Sequence, residues 1–275
     1  MVQIKIAKHA GFCHGVKQAI DMTKANENSF TVGPLIHNPQ VISDLEKIGV
    51  FAKTFDELKK EKPSKVIIRA HGGIKSEIKY LDNLGFEIID ATCPNVERVR
   101  KNAIELVKGG YSVFVFGDRD HAEVQGLLSY VPSAQVISSP SEINGFEGKQ
   151  VGLIAQTTQD VVVFDEIVDI LKVRCSEFKY HKTICLATSQ RQECAKNLAE
   201  KVNTMFIIGG KNSANTKRLY DICFEKNKDS HWIESADRLN EKLLNNIKSI
   251  GITAGASTPD YVIRDVKDKI KSLIK

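Results

Sequence analysis

The sequence predicts an α/β protein made of three small domains with mainly parallel sheets. Short apolar runs rich in β-branched residues alternate with amphipathic helical stretches along the 275 residues, a pattern typical of parallel sheets. Cys13, Cys93 and Cys185 each stand where a strand-like run ends and a helix-like run begins. They lie 80 and 92 residues apart, so no local loop unites them. Three equivalent turns therefore predict three α/β units that meet at one centre.

The first element is a strand in the N-terminal MVQIKIAKHAG. Six further apolar runs predict buried strands over 64–68 (SKVII), 86–89 (FEII), 112–116 (SVFVF), 151–154 (VGLI), 204–208 (TMFII) and 249–253 (SIGIT). Apolar residues at helical spacing predict helices over 96–107 and 191–202, and a last helix after Asp260.

Domain boundaries have weaker signals, because no Gly/Ser-rich linker or low-complexity segment divides the chain. Cutting near the cysteine turns gives three units of about 90 residues, a suitable size for small α/β domains. We expect domains over 1–95, 96–183 and 184–275, the last including the C-terminal helix.

Composition excludes several classes of protein. The chain is 42% hydrophobic and 27% charged, which is ordinary for a soluble globular protein. The net charge of +5 suits anionic substrates, but without clustered arginines or aromatic platforms it does not favour a nucleic-acid partner. We find no secretory leader and no run of about 18 apolar residues. We therefore expect a cytoplasmic protein whose six cysteines are thiols or ligands.

Polar side chains follow the predicted strands, where open α/β sheets bind ligands. They are His37, Asn38, His71, His121, Glu123, Thr157, Thr158, Ser213, Asn215 and Ser257. Taken singly, a Ser, Thr or Asn in such a turn is usually a helix cap. Together with helix N-termini, these groups predict a phosphate-binding site. The sequence does not favour binding of a nucleoside triphosphate, because it has no GxxxxGK[ST] motif. It does not favour a nicotinamide cofactor either, because no GxGxxG follows a strand.

The six cysteines divide into two groups. Cys175, Cys194 and Cys223 are expected to be structural, because free cysteine packs as a small hydrophobe; Cys194 and Cys223 also fit helix faces. Cys13, Cys93 and Cys185 occupy turns before helices, which favour the thiolate. Structural zinc usually needs four ligands with close pairs such as CxxC, and this spacing is absent. Three dispersed thiolates favour an iron–sulfur cluster over three-ligand catalytic zinc, although spacing alone leaves both open.

Eight segments in order carry a resemblance to a known family: GFCHGV, RAHG, DATCPNV, HAEVQG, QTT, ATSQRQE, KNSANTKRL and TAGAS. This set resembles the 4-hydroxy-3-methylbut-2-enyl diphosphate reductases, also called LytB or IspH, from about Gly11 to Asp260. The resemblance implies three α/β domains in a pseudo-threefold trefoil around a central 4Fe-4S cluster. It also implies reductive removal of the allylic hydroxyl of (E)-4-hydroxy-3-methylbut-2-enyl diphosphate, which gives isopentenyl and dimethylallyl diphosphate in the last step of the non-mevalonate pathway.

The resemblance also implies roles for individual residues. Cys13, Cys93 and Cys185 match the cluster ligands, and Glu123 matches the acid near the substrate hydroxyl. Either Thr157 or Thr158 matches the threonine beside that acid. The diphosphate contacts match His37, His71, His121, Ser213, Asn215 and Ser257. The implied electron donor is a flavodoxin or a ferredoxin, and neither a nucleic acid nor a membrane is expected as a partner.

Two positions depart from the family pattern. Ala122 stands where the family usually has the Pro of its HPE motif, which loosens the expected turn around Glu123. Ala214 replaces a common second serine and removes one possible phosphate contact. Neither departure touches the three cysteines.

These residues support one chemical hypothesis. Glu123 would supply the proton that lets the substrate oxygen leave as water, and the threonine would relay or orient that proton. A cluster held by the three cysteines would supply the two electrons and, through an iron without a protein ligand, a Lewis acid for that oxygen. The family resemblance implies the substrate diphosphate as another nearby proton source. The rivals are a non-catalytic binding protein for a phosphorylated metabolite, a three-ligand zinc hydrolase and an RNA-binding factor.

Overall fold

The computed structural model describes residues 2–144, 149–244 and 247–274. These residues form three four-stranded sheets in which every strand pair is parallel. The predicted α/β class with parallel sheets is therefore confirmed. No helix in these ranges has the length and apolarity that crossing a bilayer needs.

In chain order the elements are β1 (Gln3–Ile6), α1 (His14–Lys24), β2 (Phe30–Val32), α2 (Pro39–Glu46), β3 (Phe51–Lys53), α3 (Phe55–Leu58), β4 (Lys65–Ile68), α4 (Lys75–Asn83), β5 (Glu87–Asp90), α5 (Pro94–Lys108), β6 (Ser112–Phe116), α6 (Ala122–Leu128), β7 (Gln135–Ile137), β8 (Gln150–Ala155), α7 (Val161–Arg174), β9 (Glu177–Tyr180), α8 (Leu186–Ala199), β10 (Thr204–Ile208), α9 (Ala214–Lys226), β11 (Ser230–Ile233), β12 (Ser249–Ala254) and α10 (Asp260–Leu273). Short 3₁₀ turns lie at Pro140–Glu142, Ala236–Arg238 and Glu241–Leu244.

The chain folds into two compact units. The first unit comprises the chain up to Lys17, His37–Val41 and the chain from Leu186 onward. The second unit comprises Gln18–Ile36 and Ile42–Cys185.

The first unit holds one sheet with the strand order β1-β12-β10-β11. Its central strand β10 is buried along all five residues, as expected for a parallel strand covered on both faces. One face packs on α10 through Val262, Val266 and Ile270. The other face packs on α8 and α9, where Cys223 is fully buried, as predicted for a structural cysteine.

Strand β1 joins this sheet as an edge strand, with Gln3 opposite Ser249 and Ile6 opposite Ile252. β12 is buried along five of its six residues. It pairs with β10 on one side and with β1 on the other. The first strand predicted from the sequence is therefore present, but it pairs with the last strand of the chain. The strands of this sheet therefore do not come from one consecutive segment of the chain. The domain boundaries 1–95, 96–183 and 184–275 stay a prediction.

The second unit holds two sheets, with the orders β3-β2-β4-β5 and β7-β6-β8-β9. In the latter sheet, alternate residues of β6 face opposite cores. Phe114 and Phe116 pack with Phe164 of α7, whereas Val113 and Val115 pack with the α5 side chains Val99, Ala103 and Leu106. This sheet is thus covered by helices on both faces.

The predicted strands agree with β1, β4, β5, β6, β8, β10 and β12 to within a residue or two. The helix expected over 191–202 runs instead over Leu186–Ala199, so it begins directly after Cys185. The sequence did not predict β2, β3, β7, β9 and β11, which are three or four residues long; all of them except β2 lie at sheet edges.

Candidate active site

In the first unit, Cys13 lies in the turn between β1 and α1. Its backbone N–H donates to the carbonyl of Ala256 at 3.3 Å, and the backbone N–H of Val16 donates to its Sγ at 3.5 Å. Ala256 follows β12 and precedes Ser257. The turns that carry Cys13 and Ser257 are therefore hydrogen-bonded to each other.

Arg191 fixes the backbone that leads into Cys13. Only 2% of this residue is exposed. Its Nε and Nη2 donate to the carbonyls of His9 and Gly11, each at 2.9 Å, and its Nη1 donates to the carbonyl of Ala187 at 3.0 Å. His9 and Gly11 both have positive φ, 66° and 92°. Arg191 thus supports a left-handed turn that few residue types adopt without cost.

The predicted phosphate-binding residues of the first unit follow β10 and β12. Ser213 caps α9, and its Oγ accepts from the backbone N–H of Thr216. Asn215 is in the first turn of that helix, and its Nδ2 would lie 3.6 Å from a Cβ placed on Gly255. The backbone of His37 packs against Gly210, where a Cβ would come within 2.5 Å of the His37 carbonyl oxygen. Glycine is required there because of this close approach.

Two of these side chains have polar atoms that lack a hydrogen-bond partner. Asn215 Nδ2 and Ser257 Oγ are fully buried and make no hydrogen bond within the described residues. The same is true of Nδ2 of Asn38, whose Oδ1 caps α2 by accepting from the backbone N–H of Val41 at 3.2 Å. A buried donor without an acceptor costs about 1–3 kcal/mol. This arrangement is therefore suited to a polar ligand that supplies acceptors.

In the second unit, Glu123 is a buried acid bonded twice to one threonine. Only 3% of the residue is exposed. Its Oε1 accepts from the backbone N–H of Thr157 and its Oε2 from the Thr157 hydroxyl, both at 2.7 Å. Burial raises the pKa of Glu123 to about 7, although the two bonds from Thr157 oppose the rise. This carboxyl can therefore hold or release a proton near neutral pH.

His121 is the N-cap of α6, the helix that carries Glu123. Its Nδ1 accepts from the backbone N–H of Glu123 at 3.2 Å. Because a backbone N–H can only donate, Nδ1 has no proton, and the proton of the neutral ring is on Nε2. The ring of His71 packs edge-on against it at 5.3 Å between centroids. Ala122, which replaces the family's proline, is the first helical residue. Its presence was expected to loosen this turn, but the His121 cap holds the turn in place.

The two threonines of the QTT segment have different surroundings. Thr157 contacts Glu123 through both its backbone and its hydroxyl. The Thr158 hydroxyl instead accepts from Nε2 of Gln156 at 2.9 Å. Thr157 is therefore the threonine that lies beside the acid.

Cys93 and Cys185 also lie in the second unit, each directly before a helix. Cys93 is the N-cap of α5, and its N–H donates to the carbonyl of Ala70, the residue before His71. The N–H of Cys185 donates to the carbonyl of Thr157 at 3.0 Å. Asn95, two residues after Cys93, donates from Nδ2 to the Cys185 Sγ at 3.2 Å. All six cysteines are free thiols.

Each unit thus gathers a group of predicted residues. The first unit holds Cys13, His37, Ser213, Asn215 and Ser257. In the second unit, the contacts above connect His71, His121, Glu123, Thr157, Cys185 and Cys93, while Thr158 stands outside this chain of contacts.

Sequence reasoning assigned no role to Asn95 or Arg191. Asn95 is in DATCPNV and Arg191 is in ATSQRQE, so both are in segments that carry the family resemblance. Their partners, Cys185 and the turn of His9 and Gly11, are 90 and about 180 residues away in sequence. The sequence contains no signal of such pairings.

Comparison with known proteins gives consistent matches. The profile of the family described as LytB protein matches residues 4–271. A protein of Caldanaerobacter subterraneus subsp. tengcongensis is 42% identical, with 99% of this chain and 98% of the relative covered. One from Aquifex aeolicus is 41% identical, with 99% and 97% covered. Both are named 4-hydroxy-3-methylbut-2-enyl diphosphate reductase.

Two solved structures are also similar. The first, described as (E)-4-hydroxy-3-methyl-but-2-enyl diphosphate reductase, the terminal enzyme of the non-mevalonate pathway, is 40% identical, with a TM-score of 0.69 over 99% of this chain and 100% of the other. The second, a reductase from Plasmodium falciparum, is 23% identical and shares the fold with a TM-score of 0.90, over 100% of this chain and 88% of the other. The resemblance seen in the eight sequence segments is confirmed, and the chain belongs to the LytB family.

Proposed function

We propose that the chain is a 4-hydroxy-3-methylbut-2-enyl diphosphate reductase. It removes the allylic hydroxyl of (E)-4-hydroxy-3-methylbut-2-enyl diphosphate to form isopentenyl and dimethylallyl diphosphate, the last step of the non-mevalonate isoprenoid pathway. Relatives with this name match at about 40% identity over almost their full length. Among the structural observations, the one that carries the proposal is the buried acid Glu123, bonded twice to Thr157, whose carbonyl accepts from the Cys185 N–H.

The cofactor in this proposal is a 4Fe-4S cluster held by Cys13, Cys93 and Cys185. All three thiols are free, half-buried and placed directly before helices. Hydrogen bonds from Val16 and Asn95 reach two of these sulfur atoms. By contrast, burial raises the pKa of the Cys223 thiol to about 12, which makes it a poor ligand. When bound, such a cluster supplies electrons and, through an iron that no protein ligand holds, a Lewis acid.

Glu123 and Thr157 manage the proton in this proposal. With a pKa of about 7, Glu123 is partly protonated at neutral pH and donates to the departing hydroxyl as a general acid. The Thr157 hydroxyl and N–H fix both carboxylate oxygens. The acid is therefore oriented before substrate arrives, which reduces the entropic cost of the reacting arrangement.

The diphosphate is bound by His37, His71, His121, Ser213, Asn215 and Ser257 in this proposal. The buried Asn215 Nδ2 and Ser257 Oγ lack acceptors, and phosphate oxygens supply acceptors. The His121 cap leaves Nε2–H as the donor of that ring. In this proposal these side chains hold the diphosphate through hydrogen bonds. The electrons come from a flavodoxin or ferredoxin, and the enzyme works in the cytoplasm.

Anaerobic purification followed by iron, acid-labile sulfide and substrate-reduction assays tests the function. We expect about four irons and four sulfides per chain, as a 4Fe-4S cluster requires, and turnover with a chemical reductant. Cys93→Ser should lose or cripple the cluster, while Cys175→Ser should keep it as the matched control. A colourless, iron-free, inactive wild type would favour a binding protein, and zinc in its place would favour a hydrolase. Full iron and sulfide in the Cys93 variant would refute the ligand assignment.

A further inference from the structure

A side-chain hydrogen bond joins the two cysteine turns of the second unit. Asn95 Nδ2 lies 3.2 Å from the Cys185 Sγ, although the residues are 90 positions apart. Asn95 is the second residue of α5, the helix that Cys93 caps. Asn95 therefore lies close in sequence to one predicted ligand, Cys93, and its side chain donates a hydrogen bond to the sulfur of another, Cys185.

The chemistry of sulfur makes this contact informative. A neutral thiol is a weak hydrogen-bond acceptor, and an asparagine amide bonds better to an oxygen. A thiolate is negatively charged, and hydrogen bonds to ionised acceptors are roughly twice as strong as neutral ones. The contact is therefore worth most when Cys185 is ionised, as it is when it ligates iron.

We propose that Asn95 is a positioning residue that holds the Cys185 thiolate and raises the reduction potential of the cluster. This inference rests on the proposed function, because it requires Cys185 to be a cluster ligand. Reduction adds negative charge, part of which is carried by the ligand sulfurs. A donor aimed at one of them stabilises the reduced form more than the oxidised form, and hydrogen bonds to the sulfurs are among the factors that set cluster potentials.

A purely structural role for Asn95 predicts different results. At the start of a helix, Asp is as favourable as Asn or better, because its charge complements the helix dipole. Asn95→Asp should therefore preserve α5 while it replaces the donor with a negative charge. Asn95→Ala removes the donor alone, and Asn95→Ser keeps a weaker one. Asn102→Asp, on the same helix, is the matched control.

The experiment reconstitutes wild type and the four variants without oxygen, measures iron and sulfide, and follows cluster reduction by electron paramagnetic resonance at poised potentials. For Asn95→Ala we expect a ratio of reduced to oxidised cluster about tenfold lower at a fixed potential, which is 59 mV for one electron. Asn95→Asp should give a larger decrease, Asn95→Ser a smaller one and Asn102→Asp none.

Outcomes for this inference and for the proposed function can be told apart. If the wild type carries a full cluster and the Asn95→Ala and Asn95→Asp variants have the same reduction potential as the wild type, the inference is overturned and the proposed function stands. A wild type that binds no iron overturns both. If both variants lose iron while their apo forms stay folded, and Asn95→Ser retains it at a lower potential, the inference is supported.

Discussion

The two units differ in how their functional side chains are satisfied. In the first unit, Asn215 Nδ2 and Ser257 Oγ are buried without hydrogen-bond partners among the described residues. In the second unit, Glu123 accepts two bonds from Thr157, and His121 accepts one from the Glu123 N–H. Donors without acceptors are suited to binding an anion that arrives later. Groups that already bond one another are suited to keeping a proton in a fixed place.

Replacing the central acid of the second unit should give the largest effect. We expect Glu123→Gln to keep its iron and its KM but to lose turnover by about 10²- to 10⁴-fold, because an amide cannot act as a general acid. Steady-state kinetics with a chemical reductant measures this loss. Glu105→Gln, an exposed change on α5, is the control, and near-normal turnover of Glu123→Gln would remove this residue from the proton pathway.

The same acid should make stability depend on pH. The pKa of Glu123 is raised from 4.5 to about 7, so the folded state binds more protons than the unfolded state between these values. The free energy of unfolding should therefore fall as pH rises through this window, by about 3 kcal/mol in total.

Urea unfolding of the apo protein from pH 4 to pH 8 measures this change. Glu123→Gln should abolish this contribution and be more stable than wild type at pH 8. Thr157→Val should shift the decline to higher pH, because the lost hydrogen bond lowers the Glu123 pKa in wild type. Parallel curves for wild type and Glu123→Gln would contradict a raised pKa.

In the first unit, loss of a polar group should weaken substrate binding without lowering the stability of the apo protein. We expect Asn215→Ala and Ser257→Ala each to raise KM about 10- to 100-fold, the cost of a hydrogen bond to a charged ligand. Their apo forms should unfold at the same temperature as wild type or higher, since a buried donor without a partner is removed. Asn197→Ala, on the exposed side of α8, is the control. A clear loss of apo stability with unchanged KM would show that these residues are structural.

We expect the smallest effect on stability from replacing His121, which has two roles: it caps α6, and in the proposed function it donates to the diphosphate. As the N-cap of α6, it should cost about 1 kcal/mol of stability when changed to Ala, whereas Asn should keep the cap. Both variants lose the Nε2–H donor, so both should raise KM. Thermal unfolding and kinetics of the pair test this. Equal stability of the two variants would argue against the capping role.

The sequence predicted every strand of five or six residues and missed five of the shorter ones for a physical reason. β10 is an uninterrupted apolar run because both of its faces are buried. β3 and β9 are largely exposed and three or four residues long, so neither length nor hydrophobic periodicity distinguishes them from loops.

The candidate site shows a similar limit. Residue types and order identified Glu123 and the QTT segment, but Thr157 and Thr158 are chemically identical in sequence. Only the tertiary contact with Glu123 separates them. The Asn95 bond to Cys185 likewise depends on which turns become neighbours, and an amide in a helix N-terminus gives no sign of its partner.

The pairing of β1 with β12 has a consequence for biosynthesis. On a ribosome, the first strand emerges 246 residues before β12, its sheet neighbour within the described residues, whereas the second unit is complete once Cys185 has been made. The Cys13 amide likewise waits for the carbonyl of Ala256. Because domains fold as their residues become available, the N-terminal thiol is held in its native turn only when translation is nearly finished. Loading of the proposed cluster should therefore follow translation.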